Sequence, residues 1–276
     1  MVDKYLSDNK IGIIGYGVVG KAIYNTLIKS YEISIFDKFV QYDSFSDFSI
    51  CQFVFVAVPT PFDCEKNRVD DSAILESLEN LSNIGYSGIV IIKSTIPPGS
   101  CDNYSEKYDL NIVFNPEFLR ESTTPNEDFA NQDTIVVGTN STKIFDSVKL
   151  MYQKVAIPEA KYYHTTCKEA EMIKTAQNTM LASRVALANM VYDACEKNKV
   201  DYQKVKQIAF DNFEILGPHM TQVPGPDGSR GFGGKCLPKD IRAFSTVYNS
   251  DLLDSIIDYN DSLRSDLDNF LMNYRK

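Results

Sequence analysis

The sequence predicts an α/β fold in which a doubly wound parallel sheet is followed by an all-α region built on one long helix. Three observations predict it. Short β-branched runs alternate with helix-sized segments through the first half, a glycine fingerprint stands between the first run and the first helical segment, and residues 168–198 contain neither Pro nor Gly. Strands are expected over residues 11–14, 33–36, 53–58, 89–93, 112–114 and 134–137, with connecting helices over 18–29 and 72–81. The connection between the second and third strands is too short for a full helix. Beyond about Thr165 the strand signals stop. The Ala-, Met-, Leu-, Glu- and Lys-rich stretch 168–198 reads as one helix, residues 202–215 as a second, 217–234 as a loop, and the chain from about Pro238 as helical again. This divides the chain into a sheet domain over 1–164 and a helical domain over 165–276.

Composition sets outer limits. With 276 residues, 43% of them hydrophobic, the chain can bury a sizeable core. A formal net charge of -9 and the absence of a dense Lys/Arg run argue against a nucleic-acid partner. The six cysteines (51, 64, 101, 167, 195 and 236) show no CxxC pair or His-interleaved spacing, so no metal site is expected and thiols in a reducing, cytoplasmic setting are the simplest reading. The longest apolar run, 53–58, is strand-length, so no membrane partner is expected.

Gly15-Tyr16-Gly17-Val18-Val19-Gly20 follows the first predicted strand, opens the first helix, and precedes Asp37 at the end of the second strand. The first glycine permits a tight turn, the second lets the backbone approach a pyrophosphate, and the third allows close helix packing; the helix N-terminus supplies unpaired N–H groups. The carboxylate of Asp37 suits a ribose hydroxyl and repels a 2′-phosphate, so a Rossmann-like domain binding NAD is expected, with the neighbouring Lys38 pulling mildly the other way. Pro59 and Thr60, after the third strand, would line the same crevice.

The second half carries a glycine loop, Gly225 to Gly234, with five glycines in ten positions, then Lys235-Cys236-Leu237-Pro238-Lys239-Asp240. Pro238 fits the first turn of a helix, which places Cys236 just before a helix N-terminus, where a thiolate is favoured. Moving a thiol pKa from roughly 8.5 to about 7 takes only about 2 kcal/mol of preferential thiolate stabilisation. A buried structural cysteine after a flexible loop is the plainer alternative.

Gly231-Phe232-Gly233-Gly234 with Cys236 and Lys239-Asp240 resembles the UDP-glucose/GDP-mannose dehydrogenase family. Ser94-Thr95-Ile96-Pro97-Pro98-Gly99, Asn115-Pro116-Glu117-Phe118-Leu119-Arg120-Glu121, and Glu171-Met172-Ile173-Lys174 with Asn178 are similar to three further motifs of that family, in the same order. The resemblance implies NAD-dependent oxidation of a nucleotide sugar's C6 alcohol to a carboxylate, UDP-glucose to UDP-glucuronate, through a thiohemiacetal and thioester on Cys236. GDP-mannose and UDP-N-acetylhexosamines are alternative substrates for the same chemistry. It implies catalytic roles for Cys236, Lys174, Asn178, Asp240, Glu121, Glu117 and Thr95; cofactor contacts from residues 15–20, Asp37, Pro59, Thr60, Thr95 and Glu121; and substrate contacts from Glu117, Phe118, Leu119, Lys174, Asn178, Arg230, Phe232 and Gly233. Lys174 beside Glu171 also fits an ordinary helix-surface ion pair. His164 and His219 lie outside every motif and are read as structural.

Two departures from the family pattern stand out. A third, Rossmann-like domain that helps hold the nucleotide is expected from the resemblance, yet only about 35 residues follow Asp240, and the segment between Asp37 and Phe53 is short. Base and phosphate contacts would then come from the helical domain, a second copy of the chain, or a separate protein. The family resemblance also implies a homodimer through the long helix. A β-hydroxyacid-type dehydrogenase with one hydride transfer, and a non-catalytic NAD-binding or subunit-interaction protein, are the competing readings; Cys236 argues against the first and the retained catalytic residue types against the second.

Overall fold

A computed structural model of the chain describes residues 7–40, 42–120, 124–213, 220–234, 236–248 and 250–264. The chain forms two compact units, residues 1–60 with 70–174, and residues 61–69 with 175–276.

The first unit is built on a sheet of seven strands. In chain order these are β1 (Ser7–Ile14), β2 (Glu32–Phe36), β3 (Cys51–Val56), β6 (Ile89–Ile92), β7 (Asn111–Phe114), β8 (Thr134–Gly138) and β9 (Lys161–Thr165), the numbers 4 and 5 belonging to a separate hairpin (Phe62–Asp63 and Arg68–Val69). Their spatial order is β2-β1-β3-β6-β7-β8-β9. Neighbours run parallel except β7 and β8, which meet antiparallel at Phe114 and Gly138. All six strands expected from the sequence are present; β9 and the hairpin are additional.

Strand alternation divides the sheet's side chains between two cores. On one face Val54, Val56, Val90, Ile92, Ile112 and Phe114 pack with Ile74, Leu78 and Leu81 of α2 (Ser72–Asn83). On the other, Ile11, Ile13, Phe53, Phe55, Ile91 and Val113 pack with α1 (Val18–Leu27) and α5 (Thr142–Gln153). Two shorter helices, α3 (Ser100–Tyr108) and α4 (Pro125–Ala130), complete the connections.

The short link between β2 and β3 holds a 3₁₀ turn, Phe45–Ile50, in place of a helix. The Ser44 N–H donates to the Asp47 carboxylate at 2.9 Å and secures the start of the turn. Phe48 is fully buried there. Its ring fills the space left by Gly12, where an added Cβ would lie 2.5 Å from Phe48 Cδ1.

The second unit contains the hairpin and most of α6 (Cys167–Asn198), then α7 (Tyr202–Lys206), α8 (Leu237–Val247) and α9 (Asp251–Leu263). The helix expected over 202–215 is α-helical only through Lys206 and continues as a π-type turn, Gln207–Asp211; residues 214–219, with His219, lie outside the described residues. Ala182 and Ala186 of α6 pack with Phe232, Ile241 and Leu253, the small side chains allowing close approach. Phe62 and Val69 of the hairpin pack on Ala243 of α8. His164, in the sheet unit, stacks on Phe145 with ring centroids 4.4 Å apart, consistent with a structural role.

Two expectations follow. Phe48→Ala should destabilise the chain by about 3–5 kcal/mol, read as a lowered urea midpoint, because Gly12 leaves no side chain to refill the space; an unchanged midpoint would show that the 3₁₀ turn does not anchor the β2–β3 link. In the loop before α4, Arg120 lies 2.7 Å from Asp128 Oδ1 and holds that carboxyl at about 2. A depressed carboxyl contributes stability above its unfolded pKa of about 3.9 and loses it as pH falls towards its folded value. Asp128→Asn should therefore lower stability near pH 5 and flatten its fall between about pH 4 and 2, monitored by circular dichroism during acid titration.

Candidate active site

The fingerprint glycines occupy a turn that the rest of the sheet unit closes around. Gly15 has φ +90°, and a Cβ there would lie 2.6 Å from the Ala57 carbonyl; at Gly20 it would lie 2.0 Å from the Gly15 carbonyl. Neither position accepts a side chain. Gly17 differs, with nothing within 4 Å of the same point. It is also the N-cap of α1, with no side-chain cap and no acidic residue in the first turn. The first N–H groups of α1 thus adjoin open space, as an approaching pyrophosphate requires. Val18 and Val19 begin the helix, and Tyr16 packs edge-on against Tyr24 and Tyr42.

Asp37 follows β2, and its carboxylate is fixed by two backbone donors, Tyr16 N–H at 2.7 Å and Phe39 N–H at 3.0 Å. It borders a groove with Gly15, Phe36, Val58 and Pro59. Each carboxylate oxygen keeps a lone pair for a ribose hydroxyl. Lys38 is drawn to Glu76, 2.8 Å away. The ends of β3 and β6 are tied together by Thr60 Oγ1, which donates to the Thr95 carbonyl at 2.8 Å, and by Ser94 Oγ, which donates to the Val58 carbonyl at 2.6 Å. These residues fit NAD at the carboxyl edge of the sheet.

Beyond β7 the chain turns at Asn115 into a buried polar cluster. Glu117 Oε1 accepts the N–H groups of Phe118 (2.9 Å) and Leu119 (3.2 Å), while Oε2 lies 2.9 Å from Lys93 Nζ in an ionic contact that is not a well-aligned hydrogen bond. Lys93 also donates to Asn115 Oδ1 at 2.9 Å. Burial pushes the Lys93 pKa down, and the neighbouring Glu117 charge opposes that shift. From α6, Lys174 Nζ donates to the Glu117 carbonyl at 2.5 Å and lies over the Phe118 ring. Glu171 is buried as well; its Oε1 accepts the Cys101 N–H at 2.8 Å and Oε2 the Gly99 N–H, capping α3. Burial raises the Glu171 pKa. Both Lys174 and Glu171 are inside the protein, so they do not form a helix-surface pair. Glu121 lies outside the described residues.

In the helical unit, Cys236 is exposed and stands as the N-cap of α8, with Pro238 in the first turn. The Asp240 N–H donates to the Cys236 carbonyl at 2.8 Å. The Asp240 side chain is fully buried between Asn178 Nδ2, which donates to Oδ2, and Lys239 Nζ, 2.7 Å from Oδ1. Lys174 and Asn178 are four residues apart, one turn along α6.

The loop before Cys236 is held by two residues that no sequence spacing singled out. Asn260 Oδ1 accepts the Phe232 N–H at 2.7 Å and its Nδ2 donates to the Phe232 carbonyl at 3.2 Å, while Asn189 Oδ1 accepts the Gly231 N–H at 3.1 Å. Their only sequence signal is an amide within an apolar helical stretch. Gly233 lies against the Arg264 guanidinium, 2.4 Å from where a Cβ would stand. Phe232 is buried in the helical core. Arg230, expected to contact phosphate or sugar, directs its guanidinium to Asp193 at 2.5 Å and over the Tyr192 ring. Lys93, also missed as a site residue, was visible only as a charge ending an apolar strand.

Comparison with known proteins agrees with this geometry. Residues 35–156 match the NAD binding domain of the UDP-glucose/GDP-mannose dehydrogenase family, and residues 168–262 match its central domain. The chain is 35% identical over 211 residues to a UDP-glucose 6-dehydrogenase of Rickettsia bellii, an alignment covering 74% of this chain and 46% of that protein. It therefore spans about half the length of the curated relatives it matches. Among solved structures, a UDP-glucose dehydrogenase from Pyrobaculum islandicum superposes with a TM-score of 0.79 at 22% identity, covering 95% of this chain and 70% of that one. A UDP-D-ManNAc dehydrogenase from Pyrococcus horikoshii gives the same TM-score at 18% identity, covering 96% and 71%. At these identities the two structures share the fold alone. Two matched domains of one family, in order along most of its length, make this chain a member of the UDP-glucose/GDP-mannose dehydrogenase family.

Proposed function

We propose that the chain oxidises the C6 alcohol of a nucleotide sugar to a carboxylate, with UDP-glucose as the substrate and UDP-glucuronate as the product. The observation that carries this reading is Cys236, an exposed residue at the N-cap of α8, one helical turn before the buried Asp240 that Asn178 holds. A thiol at a helix N-terminus suits attack on a carbonyl carbon. A reaction stopping at one hydride transfer needs no such nucleophile. The choice of UDP-glucose rests on the 35% identity with the Rickettsia bellii protein.

Bound NAD supplies the hydride acceptor, one equivalent for each oxidation. Loss of a hydride and a proton turns the C6 alcohol into an aldehyde. The Cys236 thiolate adds to the aldehyde carbon and the oxygen takes up a proton, giving a thiohemiacetal; loss of a second hydride and that proton gives a thioester; water then releases the acid and restores the thiol. Lys174 and Asn178 donate hydrogen bonds to oxygen as it gains negative charge. Asp240 and Glu121 act on water, which Thr95 or Glu117 positions. Of the substrate contacts that the family resemblance implies, Phe118 and Leu119 belong to the sheet unit and Arg230, Phe232 and Gly233 to the helical unit.

None of the six cysteines is in a disulfide, which supports a reducing cytoplasmic setting. Among the described residues no helix is long and apolar enough to cross a membrane. Along α6, Met180, Leu187 and Met190 are 66%, 53% and 53% exposed, an apolar strip that supports self-association through this helix.

Purified protein with excess NAD and limiting UDP-glucose should form two NADH per sugar consumed. One NADH per sugar would replace the thioester route with a single hydride transfer, and none, despite demonstrated NAD binding, would overturn activity of the chain on its own. Cys236→Ser should lower acid formation by about a thousandfold or more; unchanged turnover would remove the thiol from the mechanism. Sedimentation at micromolar concentration should report a dimer, converted towards monomer by Leu187→Glu, whereas a wild-type monomer would refute self-association.

A further inference from the structure

Lys93 has no place in the chemistry above, yet it is the most deeply enclosed cation in the sheet unit's polar cluster. Its side chain is 0% exposed at the carboxyl end of β6. A lysine in such a place is retained at a cost unless partners are built around it. Here they are built from fixed groups. Asn115, its neutral acceptor, is itself held by Tyr152 Oη, which donates to Oδ1 at 2.5 Å, and by its own Nδ2, which donates to the Val136 carbonyl at 2.6 Å. Glu117, its charged partner, is bent back so that Oε1 receives the next two backbone N–H groups.

The consequence reaches Lys174. Two ammonium groups converge on one glutamate, but they meet different atoms. Lys93 takes the carboxylate at 2.9 Å, and Lys174 takes the main-chain carbonyl at 2.5 Å. A carboxylate released from Lys93 would turn to Lys174, the other cation beside the same residue, and neutralise it there. We propose that Lys93 is a positioning residue that withholds the Glu117 carboxylate from Lys174, so that the Lys174 ammonium is oriented by a neutral carbonyl and keeps its charge for an anionic oxygen of the substrate. The catalytic meaning of this arrangement rests on the proposed function; the arrangement itself does not.

The test therefore begins without turnover. The ¹⁵N ammonium resonance of Lys174, assigned by its loss in Lys174→Arg, is compared in the wild type, Lys93→Met, Glu117→Gln and the double variant. It should shift in Lys93→Met as a carboxylate replaces the carbonyl as partner, and return to the wild-type position in Lys93→Met/Glu117→Gln, where no carboxylate remains. Should Lys93→Met fold poorly, Lys93→Gln, which keeps a donor for Asn115, carries the same expectation. A resonance unmoved by loss of the Lys93 charge, or one that stays shifted in the double variant, overturns the proposal.

In the turnover assay Lys93→Met should lose about a hundredfold in kcat with KM for NAD within about twofold. A purely structural role would lower thermal stability without this split. Absence of turnover in the wild type would count against the proposed function and leave the resonance comparison to decide the role of Lys93.

Discussion

The sheet unit depends on a hydrogen-bond ladder whose strands end together. Gly15 N–H bonds to the Phe36 carbonyl, Ala57 to Ile14, Lys93 to Val56 and Asn115 to Ile92, each at 2.8–3.0 Å and each one residue past a named strand. Five parallel neighbours thus stop pairing at one level, and their next residues diverge. A parallel sheet buried on both faces has no other place to set down polar chemistry. Gly15, Asp37, Val58, Thr95 and Glu117 all lie within three residues of this edge, which is why motifs far apart in the sequence belong to one side of one sheet.

That edge imposes a second condition, because it joins a dry core. Lys93, Asn115 and Glu117 are all buried, and a polar group there must be bonded or paired. The structure meets the condition by giving several motif residues an architectural bond. Glu117 closes the turn 117–119, Glu171 caps α3, and Asp37 fastens Tyr16 and Phe39. In the helical unit, Asn260 and Asn189 do the same for the backbone of Phe232 and Gly231. Cys236 stands apart from this group by being exposed. A motif residue's charge therefore says less about its chemistry than the atom to which the charge is committed.

The same distinction explains what could be read from the sequence. The six main strands were legible because each is a short run dominated by apolar and β-branched residues, and α6 because 168–198 lacks any helix breaker. Pro238 placed Cys236 at a helix start, which is where it stands. Strand β9, Lys-Tyr-Tyr-His-Thr, escaped notice because it lies at the sheet edge and is largely exposed, so no buried face imprints an apolar pattern on it. The hairpin strands are two residues each, too short for any periodicity. The Lys93–Glu117 and Phe232–Asn260 contacts join residues 24 and 28 positions apart, and nothing in local spacing records which distant side chain will meet a buried charge or an unpaired amide. The Arg230 guanidinium makes a contact of the same kind, bonding to Asp193, 37 positions earlier in the chain.

Selection between NAD and its 2′-phosphorylated form can be argued from the same commitments. Lys38, next to Asp37, would favour a phosphate, but it is matched by Glu76 in a pair whose side chains are 64% and 54% exposed. Such a pair is worth only about 0–1 kcal/mol and is screened by salt, so it does not by itself prevent Lys38 from turning to another anion. Asp37 is different. Two backbone N–H groups fix its carboxylate in the groove, and a fixed anion facing a 2′-phosphate cannot move away to relieve the repulsion. A fixed Asp37 carboxylate therefore weighs more against a 2′-phosphate than the loosely held Lys38 weighs for one.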